Sequence, residues 1–317
     1  MQNGNGFVKG VNLGGWLSQC DYSTARLDRF ITESDFEQIA HWGFDHVRIP
    51  IDYNVILLPD GQLSPAGFAR IDRALEWSAT HGLRTVLDLH KTPGFSFDEE
   101  EGEAGFFADE KYQELFYTLW EAFARRYGPL GGRVRFELLN EVTEARFLPA
   151  WKRISRECVR RIRPFAPDTD ILIGSYLWNS VTTLPELDAP YDEHVIYNFH
   201  CYDPHDYTHQ GAYWEASRRD ISQRIPFAES GVTEQYFDEL FAPAVAKARA
   251  EGTTLYCGEY GVIDVVPPED ALLWFQAIHL VFEKYGIGRC LWSYKEMDFG
   301  FSDCRMDTVR ERLLALL

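Results

Sequence analysis

The chain of 317 residues has six cysteines, and no two of them are close enough to form a CxxC pair: Cys20, Cys158, Cys201, Cys257, Cys290 and Cys304 are dispersed. This excludes zinc-knuckle and thioredoxin-type motifs. Cys201, Cys257 and Cys290 sit in apolar, strand-like segments, where a thiol serves as a small buried hydrophobe, as in a reducing compartment. No uninterrupted apolar run reaches membrane-spanning length, and the opening MQNGNGFVKG lacks the basic and apolar regions of a secretory signal. A cytoplasmic protein with no membrane partner is expected from the chain as given, or a secreted one had a signal been trimmed. Positive charge is scarce: 31 Lys plus Arg stand against 49 Asp plus Glu, a formal net charge of −18. That balance argues against nucleic acid as a partner, and the surplus carboxylates read as a solvated surface. Missing too are GxSxG, Walker A, HExxH and a Rossmann GxGxxG after a strand, so nucleotide chemistry is not expected.

What is present is an alternation of apolar, β-rich runs with helical patterns, the signature of a parallel sheet. The predicted strands are Lys9–Leu17, His46–Asp52, Leu83–Lys91, Val134–Val142, Ile171–Asn179, His194–Tyr202, Thr254–Val262 and Gly288–Glu296. Their nearly continuous apolar character fits strands covered on both faces, and eight of them suggest a closed (β/α)8 TIM barrel of class α/β. Between them, Ser34-Asp35-Phe36-Glu37 reads as a capping box before a helix that stops at Gly43. Ser64-Pro65 opens a second helix, and others are expected over Lys111–Tyr127, Leu148–Phe165, Glu234–Ala250 and Pro268–Tyr285. Residues 203–233 are too irregular for a crossover helix and read as an insertion after the sixth strand, within a single domain spanning 1–317.

In such a barrel the active site lies at the carboxyl ends of the strands. Polar residues end otherwise apolar runs here: Arg48 in HVRIP, His90 in TVLDLH, Asn140-Glu141 in FELLNE, His200 and Tyr202 in YNFHCY, Glu259 in YCGEYG and Trp292 in CLWSY. Glu141 and Glu259 are carboxylates on different strands. Two glutamates flanking a glycosidic bond divide the work, one as proton donor and the other as nucleophile or as base for water. Asn140 offers an amide to a sugar hydroxyl, while Arg48 and Tyr202 are suited to keep the second glutamate ionised. Nine Trp, 16 Tyr and 22 Phe exceed the needs of packing, and sugar rings stack on indole. Trp292 is the foremost platform, with Trp16, Trp178 and Trp214 as further candidates. Two other readings stay open on these residues. One is a metal-dependent hydrolase using His205 and His209, spaced i, i+4, with Asp203 or Asp206. The other is a non-catalytic carbohydrate-binding barrel.

These residues carry a resemblance that covers nearly the whole chain. GVNLGGWL, HVRIPID, LDLH, FELLNEV, NFHCY, GEYGV and LWSY, in this order, resemble glycoside hydrolase family 5, the cellulase A family of retaining β-glycosidases. The resemblance implies a (β/α)8 barrel with Glu141 as acid/base and Glu259 as nucleophile. Arg48, His90, Asn140, His200, Tyr202 and Trp292 would form the shell around the reacting sugar, and no metal or cofactor would be required. ITESDFEQIAHWGFDHVRIPIDY and THQGAYW point to short bacterial endo-β-1,4-glucanases without a binding module. A monomer acting on cellulose-like or mixed-linkage β-glucan polysaccharides or oligosaccharides is then implied. GVNLGGW and RIPI also occur in exo-β-1,3-glucanases of the family, which stand as the alternative. Lys91 departs from the pattern, since an uncharged group is expected after His90.

Overall fold

The computed structural model describes residues 6–98, 101–219 and 222–317; residues 1–5 of the amino-terminal stretch and 220–221 of the expected insertion lie outside these. Among the described residues, parallel strands close a barrel in the order β1 to β8. They are β1 (Lys9–Asn12), β2 (His46–Asp52), β3 (Arg84–Lys91), β4 (Val134–Glu137), β5 (Ile171–Ile173), β6 (Val195–Cys201), β7 (Leu255–Tyr260) and β8 (Gly288–Leu291). β8 pairs back with β1 through Lys9–Arg289, Gly10–Cys290 and Val11–Leu291. Every residue of β2, β6 and β7 is buried, which explains why these runs are apolar almost throughout rather than alternating.

Most strands begin where the sequence predicts and end earlier. β4 stops at Glu137 rather than Val142, β5 at Ile173 rather than Asn179, and β8 at Leu291 rather than Glu296. The apolar run outlasts the ladder because the chain stays buried after it leaves its neighbours: Leu138, Leu139 and Val142 are all core residues.

Helices follow their punctuation closely. Pro268–Tyr285 ends at Gly286, whose φ of 64° puts it in the left-handed cap conformation that glycine favours. Glu234–Ala250 also has the expected bounds and is capped by the Thr233 side chain. The helix Glu33–His41 is capped at its start by Thr32 and Asp35, two residues before the Ser34/Glu37 box expected, because Thr32 is the residue with extended backbone. Leu148–Ile162 stops short of Phe165 as the chain turns ahead of Pro164. The helix Thr24–Arg29, capped by Ser23, lies in a connection that carries no apolar periodicity and was not expected.

Inside the barrel the side-chain period of two sets the layers. On β3, Val86, Asp88 and His90 share the inward face; on β6, Ile196, Asn198 and His200 do. Val86, Leu172, Ile196, Tyr256 and Cys290 pack with Phe7 into an apolar plug separate from the main core, which lies between sheet and helices. Above that plug every inward residue discussed below is polar or aromatic. Four cysteines, Cys158, Cys201, Cys257 and Cys290, are buried and unpaired.

Candidate active site

Arg48 is the centre of the polar layer. It is 0% exposed, and its guanidinium has five N–H donors to place. Nε donates to Glu137 Oε2 at 2.7 Å and Nη2 to Glu137 Oε1 at 2.8 Å, a two-pronged pairing. Nη1 donates to Glu259 Oε1 at 2.7 Å and to Asn12 Oδ1 at 2.8 Å. Nη2 also reaches Asn140 Oδ1 at 2.8 Å and Asp88 Oδ2 at 3.0 Å. One cation therefore faces three carboxylates in a dry interior. Its proximity holds the Glu137 carboxyl down at about 2 against the strong upward push of burial. Asp88 behaves oppositely: burial outweighs Arg48 and raises it to about 6.

The two candidate catalytic glutamates lie above this layer. Glu259 is held at both oxygens, Oε1 by Arg48 and Oε2 by the Tyr202 hydroxyl at 2.7 Å. Glu141, four residues past the end of β4, is bound at Oε1 by His200 Nδ1 at 2.7 Å. The same Nδ1 stands 3.7 Å from Glu259 Oε2, and one ligand atom from each of Glu141, His200 and Glu259 lies within 4.8 Å of the others. Glu141 has the surroundings a proton donor requires. Burial raises the Glu141 carboxyl, and the Glu259 charge raises it further, while His200 works against both. Burial disfavours a charged His200, but the charge of Glu259, Glu137 3.8 Å away and the bond to Glu141 overcome it and push the imidazole up to about 10.

A bulge makes this meeting possible. In the β6–β7 register Phe199 pairs with Cys257, but His200 pairs with Glu259, so Gly258 is skipped. Tyr256 faces the barrel interior; strict alternation would point Gly258 inward and Glu259 out to the helices. The extra residue reverses the phase, sending Glu259 inward and Tyr260 onto Trp274 and Phe282. Gly258 fits there because a Cβ would stand 2.9 Å from Asn198 Oδ1 and 3.1 Å from His200 Nε2.

His90 and Trp292 complete the floor. Their rings are parallel within 4°, 6.0 Å apart, and His90 Nδ1 is fixed by Asp88 Oδ2 at 2.6 Å. Of the other indoles, Trp178 is 46% exposed at the rim, its backbone N–H bonded to the Val142 carbonyl just after Glu141. Trp214 is also exposed and meets Tyr213 edge-on. Trp16 has to be corrected: it is 0% exposed and its indole N–H donates to the Leu27 carbonyl, so it is a core residue with no face for a sugar. Its place in GGWL, beside other site residues, gives no sign of that burial.

Glu137, Asp88, Asn12 and Asn198 were not singled out from sequence. Asn198 donates to Glu137 Oε1 at 2.8 Å, and Asn12 to the Gly258 carbonyl at 2.9 Å. The available signal was a polar residue inside an apolar run, as in TVLDL and VRFEL, rather than at its end. Lys91, the departure noted above, is buried and bonds both Glu101 oxygens at 2.9 and 3.0 Å. With Gln19, Asp52, Ser96 and Phe97 the pair lines a cavity of about 310 Å³ beside His90.

Among the described residues, two groups could hold a metal ion by their geometry: Glu141, His200 and Glu259, and, separately, His205, His209 and Glu215. In the first, the Arg48 guanidinium already supplies the cation beside Glu259. In the second, the carboxylate beside the histidines is Glu215, not Asp203 or Asp206 as expected; Asp206 pairs with Arg218 at 2.6 Å.

Comparisons with known proteins give the family and the fold. Residues 2–298 match the model of the family described as Cellulase (glycosyl hydrolase family 5). The chain is 54% identical over 291 residues to Cellodextrinase A of Ruminococcus flavefaciens, covering 91% of this chain and 86% of the relative. It is 35% identical to Endoglucanase C of Acetivibrio thermocellus, with 98% of each covered. The crystal structure of endoglucanase Cel5A from the hyperthermophilic Thermotoga maritima superposes with a TM-score of 0.84 at 25% identity, over 99% of this chain and 97% of that one.

Proposed function

The chain belongs to glycosyl hydrolase family 5, and from that premise we propose that it is a retaining endo-β-1,4-glucanase acting on cellulose-like or mixed-linkage β-glucans and their oligosaccharides. The observation that carries the mechanism is the closeness of Glu141 and Glu259, whose oxygens come within 4.8 Å. Retaining enzymes hold their carboxyl groups roughly 5–5.5 Å apart, whereas an inverting pair leaves about 6.5–9.5 Å for a water.

Glu259, fixed by Arg48 and Tyr202, attacks the anomeric carbon. Protonated Glu141 gives its proton to the departing glycosidic oxygen, and a glycosyl-enzyme ester forms on Glu259. Esterification removes the negative charge that helps hold the Glu141 pKa up. Glu141 then becomes the stronger acid, and as a carboxylate it takes a proton from the water that hydrolyses the ester. Trp292 and Trp178 supply aromatic surface at the floor and rim, Asn140 an amide beside Glu141, and His90 a ring fixed by Asp88. Both glutamates are kept in place, which supports the hydrolase reading over a binding-only barrel.

Viscometry and product analysis on carboxymethylcellulose, barley mixed-linkage glucan, laminarin and mannan test the specificity. A rapid viscosity loss on the first two, with short oligosaccharides as products, is expected. Glucose released from laminarin without loss of viscosity would instead establish the exo-β-1,3 alternative. Proton NMR of the first-formed products should show the β anomer.

A second expectation concerns pH. The bond from His200 and its charge lower the Glu141 pKa, so removing them raises it. His200→Gln should therefore move the alkaline limb of kcat/KM, where the acid form of Glu141 is lost, to higher pH. An alkaline limb moved downward, or left in place, would refute the assignment of Glu141 as the acid positioned by His200.

A further inference from the structure

After β6 the chain assembles a group of side chains that the glucanase mechanism leaves unused. His205 begins the short helix His205–Thr208 and His209 follows it, so the two rings, four residues apart, stack at 4.1 Å with 26° between their planes. Glu215 returns from the next turn and places Oε1 2.7 Å from His205 Nε2. One ligand atom from each of His205, His209 and Glu215 lies within 4.8 Å of the others.

The surroundings orient each member. Arg218 Nε holds the second oxygen of Glu215 at 2.5 Å and is itself bound to Asp206, leaving Oε1 toward the histidines. Thr208 Oγ1 stands 3.1 Å from His209 Nδ1. Such outer bonds, fixing the rotation of a ring or a carboxylate, are what set metal ligands.

We propose that His205, His209 and Glu215 form a binding site for a divalent transition-metal ion of the zinc type, and that its occupation inhibits the enzyme reversibly. Two imidazoles and one carboxylate suit zinc, which takes nitrogen and oxygen ligands at about 2.0–2.2 Å. Ligands around a tetrahedral ion then stand about 3.3 Å apart, so side-chain rotation within this group suffices to close on it. His205 is exposed, which gives the ion a route in and leaves a fourth position for water. The ion takes the place of the hydrogen bond between His205 Nε2 and Glu215 Oε1.

The link to catalysis runs through Tyr202. The His209 ring packs edge-on against Tyr202 at 5.0 Å, and the Tyr202 hydroxyl donates to Glu259 Oε2. An ion that draws His209 toward His205 and Glu215 shifts the ring supporting Tyr202, and with it the hydrogen bond that fixes the nucleophile.

Calorimetric titration of the full chain with zinc chloride alone, alongside activity on a soluble glucan, tests both parts. Wild type should bind one ion per chain and lose activity in parallel, with activity restored by EDTA. His205→Ala, remote from the reacting groups, should keep wild-type activity without zinc, and should bind zinc and be inhibited about tenfold or more weakly. Glu215→Gln should weaken binding in the same direction. Zinc binding equally tight in His205→Ala, or no saturable binding by wild type, overturns the site. Inhibition that survives in His205→Ala after binding is lost overturns the coupling through Tyr202 and locates the inhibitory ion at the Glu141, His200 and Glu259 group. The binding measurement does not depend on the glucanase assignment, so the two can fail separately.

Discussion

Glu259→Ala is expected to lower kcat by on the order of 10⁴-fold or more, because no other group can form the covalent intermediate. Glu141→Ala should cost about 10²–10⁴-fold with natural substrates, the range of general acid–base assistance, and much less with an aryl glycoside whose leaving group needs no proton. Added azide separates the two roles. In Glu259→Ala the small cavity left by the carboxylate admits azide, which attacks the anomeric carbon once and yields the α-glycosyl azide. In Glu141→Ala the glycosyl-enzyme still forms, and azide opens it from the other face to give the β-glycosyl azide. Both carboxylates are buried within one cluster, so circular dichroism and thermal melting of each variant should accompany the kinetics. The same azide anomer from both variants would remove the role assignment, whatever the loss of rate.

The largest effect on stability is expected from Arg48→Met. Arg48 is the shared cation of Asp88, Glu137 and Glu259, and all four side chains are essentially without solvent. Taking out one partner of a buried ion pair leaves uncompensated charge and costs about 3–5 kcal/mol. Spread over the unfolding entropy of a chain of 317 residues, that is a fall in Tm of roughly 5–8 °C. Water cannot reach Asp88 and Glu137, both 0% exposed, to replace the lost donors, which is why the effect is large. Arg126 and Asp72 form an equally close pair at the surface, with side chains 51% and 31% exposed. Arg126→Ala should therefore cost no more than about 1 kcal/mol. Thermal melts of the two variants side by side decide the matter: an Arg48→Met protein as stable as wild type would mean that Glu137 or Asp88 takes up a proton cheaply and that the network contributes little.

The helix ends and most strand starts were legible because their signals are local. Gly286 ends its helix as a left-handed cap, Ser64 caps the start of its own, and apolar runs begin where the ladders begin. The candidate site was legible through its strand-end residues, Arg48, His90, Asn140, Glu141, His200, Tyr202, Glu259 and Trp292, which the structure brings to one end of the barrel. Trp16 was misjudged because burial depends on what the loop and the helix Thr24–Arg29 pack over, and no property of GGWL reports that. Strand ends were overestimated because an apolar run reports burial, and burial continues after the hydrogen-bonded ladder stops.

By itself, then, the sequence determined the barrel, its order of strands and helices, and the set of polar groups at its carboxyl end, since periodicity, capping and polar interruption are written residue by residue. Only the tertiary structure decided that Arg48 serves three carboxylates at once, and that Glu137 and Asp88 belong to the same layer as the strand-end residues. It alone decided the phase of β7 as well. Without the bulge at Gly258, alternation would turn Glu259 toward the helices, and the register that sets it opposite His200 arises from pairing between strands, a relation between residues far apart in the chain.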